Sequence, residues 1–162
     1  MLDFALSLKI AKETGAVKKE CWRNAYLAFY SYEELHSGWY VEGWAIPDKK
    51  IPLNLEHGWI ERTDGSVVDP TYALLGHKDP QYFPAVRYTF TQVTKLAEDV
   101  FTGNKKAIHL PLFDFKITNR YNHPEYEEVY IASLKSALGK ETFEKMQLWR
   151  KQREKMHQSP KA

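Results

Sequence analysis

Apolar residues recur along this chain with two different periods, and the change between them outlines the elements. Leu2, Leu6 and Ile10 stand at four-residue steps before Gly15, which predicts a short helix over residues 2–13. Trp22, Ala25, Tyr26 and Phe29 repeat the helical interval and predict a second helix over 20–35, closed by Gly38. Trp39–Ile46 and Leu55–Glu61 are short runs rich in aromatic and aliphatic residues, separated by a loop holding Pro47, Lys49, Lys50 and Pro52, and both read as strands. Residues 66–68 add a third short strand behind Asp64-Gly65, a dipeptide that turns hairpins. A loop with Pro70, Gly76, Pro80 and Pro84 then leads to a strand over 85–90, a helix over 91–101 and an extended stretch at 109–117. Two helices close the chain, Pro124–Leu138 and 141 to about 156, with Pro124 at a first helical position, Gly139 between them and residues 157–162 frayed.

The expected class is therefore α+β: two helices, an antiparallel meander, and strand and helical completion behind it. The pattern changes character near position 84, dividing a motif-rich 1–83 from 84–162, but 162 residues suit one domain, 1–162. With 43% apolar and 14% aromatic residues and no biased tract, the chain has the means to bury a core.

Charge narrows the partners. The 23 basic and 21 acidic residues are interspersed and leave a net +2, so nucleic acid is not an expected partner on total charge. No stretch approaches the roughly 20 apolar residues that span a bilayer, and residues 1–14, with Asp3 and Lys9 among their apolar positions, lack the pattern of a secretory signal. A single cysteine allows no internal disulfide, which fits a reducing, cytoplasmic setting.

That cysteine is the first candidate for chemistry. Cys21 falls in the first turn of the second predicted helix, where backbone N–H groups and the positive end of the helix dipole favour thiolate over thiol, with Lys18 and Lys19 adjacent. Its own N–H is suited to one half of an oxyanion hole. A lone cysteine also serves as a small buried hydrophobe. His57 lies inside a predicted strand, on the face of Leu55 and Trp59, where an imidazole among apolar neighbours needs a polar partner. Asp69 offers one: a carboxylate on the second ring N–H fixes the tautomer and stabilises the imidazolium. The plainer alternative is a satisfied core histidine, with Asp69 capping a turn before Pro70.

Register decides whether the two meet. A tight two-residue turn at Asp64-Gly65 puts Asp69 opposite Ile60, turned away from His57. Their pairing requires a connection of three to five residues within 61–65, for which Gly65 suits a bulge.

The order Cys21-Trp22-Arg23-Asn24-Ala25, Tyr40-Val41-Glu42-Gly43, Glu56-His57-Gly58-Trp59-Ile60, Asp64-Gly65 and Val68-Asp69-Pro70-Thr71 resembles the core of transglutaminase-like proteins, within the wider papain-like group of cysteine hydrolases. The resemblance covers about residues 15–72. It implies a catalytic cysteine at the N-terminus of a helix packed on a small antiparallel sheet, with extra C-terminal helices. It further implies cysteine-dependent acyl transfer through a thioester, of hydrolase, peptidase, deamidase or transglutaminase type, with Cys21, His57 and Asp69 as the triad. No cofactor is implied, and the substrate is a protein, a peptide or a small amide or ester. Asn24, Glu42 and Trp59 are supporting candidates. Two features depart from the pattern: the interval from His57 to Asp69 is slightly short, and no glutamine precedes Cys21 to match the papain-type oxyanion donor, so a second donor is unassigned.

Other classes have their own residues. A binding module that keeps the fold without catalysis would use the C-terminal helices. A small nucleic-acid-associated protein would use Arg150, Lys151, Arg153 and Lys155, although their alternation with Gln152 and Glu154 is that of a solvated helix face. His36, His77, His109, His123 and His157 have no paired metal-ligand spacing, so no metal site is expected. Tyr82, Phe83, Tyr88 and Phe90 suit either a substrate cleft or the core.

Overall fold

The fold is organised on Trp39–Ile46 (β1), whose residues are almost all buried because the strand is paired on both edges. The computed structural model describes residues 1–48, 50, 53–102 and 124–158. The expected extended stretch at 109–117, Lys49 and Pro52 of the loop after β1, and residues 159–162 lie outside them. Leu55–Glu61 (β2) pairs antiparallel with β1, and Val67–Val68 (β3) with β2, giving the expected meander. Gln81–Tyr88 (β4) pairs antiparallel on the other edge of β1, so the sheet order is β3-β2-β1-β4. With six α-helices among the described residues, the protein is mixed α+β around a small antiparallel sheet.

The first helix, Phe4–Glu13 (α1), is shorter than periodicity predicted. Asp3 caps it through Oδ1, which accepts the Leu6 N–H at 3.1 Å, and Leu2 leaves the helical repeat to form a parallel bridge with Val67. The second, Cys21–Ser31 (α2), also ends early: Tyr32 is extended, and a 3-10 turn, Glu33–Leu35, then puts Leu35 fully inside the core. A third helix, Pro70–Leu75 (α3), corrects the reading of this region as loop. Its start and stop signals are those of longer helices, Asp69 as N-cap, Pro70 at the first position and Gly76 as C-cap, but six residues are too few to show a period.

β4 spans 81–88 rather than 85–90, and so runs through position 84, where the pattern changes. Pro84 is accommodated because β4 is an edge strand and its register against β1 shifts at this point, with Ala85 the extra residue of a bulge. Phe90 opens Phe90–Phe101 (α4), capped reciprocally: the Thr89 N–H donates to Gln92 Oε1 at 2.8 Å and the Gln92 N–H to Thr89 Oγ1 at 3.4 Å. Pro124–Leu138 (α5) lies against β1 and β4, where Tyr130 packs its ring 4.7 Å from that of Trp44. Lys140–Gln158 (α6) follows, extending beyond the expected 141–156 at both ends. Among the described residues, no helix is long and apolar enough to cross a membrane.

Strand alternation gives the sheet two apolar faces. Tyr40, Ile60 and Val68 join Ile10, Ala25, Ala28, Phe29, Leu35 and Val93 in one cluster, and Val41, Trp59 and Val67 join Leu2 in the other. Gly58 brings α2 onto β2: a Cβ there would lie 2.8 Å from Trp22 Cδ1 and 3.2 Å from Trp22 Cα. The missing side chain lets the start of the helix approach the strand, setting Cys21 beside His57. Gly58→Ala should therefore push the α2 start outward and lower unfolding stability by about 1–3 kcal/mol, read from urea denaturation; an unchanged midpoint would mean that Trp22 moves aside freely.

Candidate active site

The turn between β2 and β3 settles the register question. The Arg62 N–H donates to Ser66 O at 2.8 Å and the Gly65 N–H to Arg62 O at 3.0 Å, leaving Thr63, Asp64 and Gly65 as a three-residue connection. Gly65 sits at φ +80°, where a side chain would be strained, and Asp64 Oδ1 fixes the turn by accepting the Ser66 N–H at 2.9 Å. Val68 stands opposite Ile60, so one further step puts Asp69 opposite Trp59, on the side of His57 and diagonal to it. The side chains close the diagonal: His57 Nε2 lies 2.7 Å from Asp69 Oδ2.

Asp69 both caps a turn and partners the histidine. Its Oδ1 accepts the Tyr72 N–H at 2.9 Å, capping α3, while Oδ2 accepts from His57 and from the Tyr82 hydroxyl at 3.0 Å. Its own N–H donates to Ser7 Oγ at 2.9 Å, and Ser7 in turn donates to Asp3 O. The contact between the two is made out of water, since Asp69 is fully buried and His57 is 3% exposed.

Cys21 supplies the other neighbour of His57. Burial pulls the imidazole toward its neutral form, but the Asp69 charge and hydrogen bond, followed by hydrogen bonding and charge from Cys21, more than offset this and push its pKa up to about 10. With Nε2 committed to Asp69, Nδ1 is the nitrogen left for the thiol. Cys21 is buried, while Lys18 and Lys19 on the turn before it are exposed.

The supporting candidates separate by position. Asn24, one turn after Cys21 and fully buried, spends its amide on structure: Oδ1 accepts the Val17 N–H at 3.0 Å, and Nδ2 donates to Val17 O at 2.7 Å and Thr71 Oγ1 at 2.8 Å. It ties the turn before Cys21 to α3. Glu42 stands in register with Gly58, not with His57, and its buried carboxylate accepts the Tyr40 hydroxyl at 2.7 Å. Trp59 is fully buried and lies near-parallel to His57 at 6.3 Å, as part of the Val41 and Val67 cluster. The aromatic group divides. Tyr82 joins the site, whereas Tyr88 and Phe90 pack on the core cluster around Phe29.

No family model matches this sequence, and no curated protein or solved structure matches it. Among the described residues, no three or more His, Cys, Asp or Glu side chains are grouped to hold a metal ion. Two residues escaped the sequence reading. Tyr72 stacks on the His57 ring, centroids 4.0 Å apart and planes within 13°, but sits in the segment taken for a loop. Ser7, buried in α1, reaches Asp69 across 62 positions of sequence; the only sequence signal for it is a polar residue within an otherwise apolar helix face.

The folded protein holds the His57 proton more tightly than the unfolded chain, so the stability this confers is whole below about pH 6.5 and is lost as the pH rises through about 10. Asp69→Asn keeps a capping oxygen and removes the charge. In this variant burial is opposed only by Cys21, so the imidazole should titrate well below the wild-type value of about 10, and the loss of stability above pH 6.5 should shrink accordingly. NMR titration of the His57 ring protons with parallel thermal melts tests both; a ring still protonated at pH 8 in the variant would show that Asp69 is not its main charge partner.

Proposed function

We propose that this chain is a cysteine-dependent acyl-transfer enzyme with a transglutaminase-like, papain-like core, in which Cys21 is the nucleophile, His57 the acid and base, and Asp69 the orienting carboxylate. The observation that carries this reading is the placement of His57, bound through Nε2 to a buried carboxylate and flanked by the chain's single thiol. The order of the elements supports it as well, with cysteine at a helix start, histidine on a strand and aspartate just after the next strand.

In the proposed reaction His57 already holds the proton of Cys21, and the sulfur attacks the carbonyl carbon of an amide or ester. A C–S bond forms while the carbonyl π pair moves onto oxygen. The pair then returns, breaking the bond to the amine or alcohol, which leaves with the proton held by His57. Water or an acceptor amine next attacks the thioester, passing a proton to the neutral imidazole; the C–S bond breaks and the thiolate–imidazolium pair is restored. Asp69 keeps Nδ1 directed at sulfur throughout and balances the charge on the ring. Asn24 acts at one remove, holding the α2 start against α3 through Val17 and Thr71.

Incubation with an activated ester such as p-nitrophenyl acetate should acetylate Cys21 in the wild-type protein, seen by intact mass, and leave Cys21→Ala unmodified. His57→Gln should slow this step by about 10²-fold or more. With amide substrates the rate should fall as the pH rises through about 10, where His57 loses the proton it must give to the leaving group. Equal acetylation of wild type and Cys21→Ala would sink the reading.

A further inference from the structure

Tyr72 carries a hydroxyl for which the resting protein has no use. The residue is 3% exposed, and its oxygen is buried without a hydrogen-bond partner among the described residues. Its ring needs no hydroxyl to pack: it lies parallel on His57 at 4.0 Å, meets His77 edge-on at 5.3 Å and touches Tyr82 at 6.3 Å, all contacts that phenylalanine would make. Burying an unsatisfied donor is costly, so such a group in a native fold points to a partner that is absent at rest. The phenol is near enough to Cys21 and Asp69 to feel both charges. Burial first, and then those two charges, keep it protonated and thus a donor.

The second buried donor nearby without a partner, Trp59 Nε1, belongs to a fully buried ring whose far edge lies over Gly43, within the Val41 and Val67 cluster. Tyr72 instead reaches the site from α3, whose start is fixed by the carboxylate that holds His57. Its hydroxyl is therefore placed by the same residue that places the base.

Resting on the reading of Cys21 as an acylated nucleophile, we infer that the Tyr72 hydroxyl donates a hydrogen bond to the acyl oxygen of the substrate, acting with the Cys21 N–H as the second donor of the oxyanion site. The oxygen gains charge as the C–S bond forms and loses it as the leaving group departs, so a fixed donor there stabilises the tetrahedral intermediate of both acylation and deacylation. This also defines the substrate class: a carbonyl whose oxygen accepts a phenolic hydrogen bond in a closed, largely aromatic setting. Electrophiles that react at saturated carbon gain nothing from it.

Tyr72→Phe separates these outcomes when Cys21 is probed in two ways in the intact protein. Acetylation by p-nitrophenyl acetate should slow by about 10²-fold, while alkylation by iodoacetamide, which develops no oxyanion, should stay within about twofold of wild type. The thermal midpoint should hold or rise, because an unsatisfied donor is removed; a fall of more than about 3 °C would show that the hydroxyl is satisfied in the resting protein and would overturn the inference. Acetylation of Tyr72→Phe at the wild-type rate, or equal slowing of both reagents, would overturn it while leaving the Cys21 reading intact. Wild-type protein that shows no Cys21-dependent acetylation at all removes that reading, and this inference with it.

Discussion

A fully buried carboxylate has to be satisfied from every side, and in this protein the surrounding elements are arranged to do so. Asp69 takes a backbone N–H from α3, a ring nitrogen from β2 and a hydroxyl from β4, and its own N–H goes to a serine on α1. No two of these partners come from the same element. Placing one residue thus constrains the helix that follows it, both halves of the sheet and the first helix. Removing one member of a buried charged pair typically costs about 3–5 kcal/mol, because the other is left uncompensated.

Such a pair is a weak device for stability alone. Replacing a buried ion pair by well-packed apolar residues is often neutral or favourable, and aromatic rings already crowd this part of the molecule, with Trp59 and Tyr72 against His57 and Tyr82 against Trp59. A charged histidine beside a thiol in this setting fits the acyl-transfer reading proposed above. Gly58 makes the same point from the other side, since its missing side chain brings the helix bearing Cys21 within reach of the histidine strand.

What could be read in the sequence follows the distance over which each cause acts. α5 was legible from its helical apolar spacing between Pro124 and Gly139, β1 and β2 from aromatic and aliphatic runs that are largely buried, and the three candidate residues as types in a telling order. α3 was hidden because six nearly all-apolar residues carry no period, and β4 because Pro84 is tolerated only at an edge, a position set by the other strands. The break at Tyr32 is likewise tertiary: the chain leaves the helix where Leu35 must turn into the core and the Tyr32 hydroxyl reaches Glu13. Tyr72, Tyr82 and Ser7 join the site only through folding, and the acceptance of the Tyr40 hydroxyl by Glu42 is likewise a contact that sequence order did not announce.

The connection between β2 and β3 also carries a rule of parity. With Thr63, Asp64 and Gly65 between the closing pair, Asp69 and His57 emerge on one side of the sheet. A slip of that pairing by a single residue would turn Asp69 to the other side, where α1, α2 and α4 already fill the space with Ile10, Phe29 and Val93. Descendants of this chain can therefore lengthen the tip between Arg62 and Ser66 without losing the contact so long as that pair still closes the hairpin, whereas one residue inserted between Ser66 and Asp69 turns the carboxylate away from the histidine.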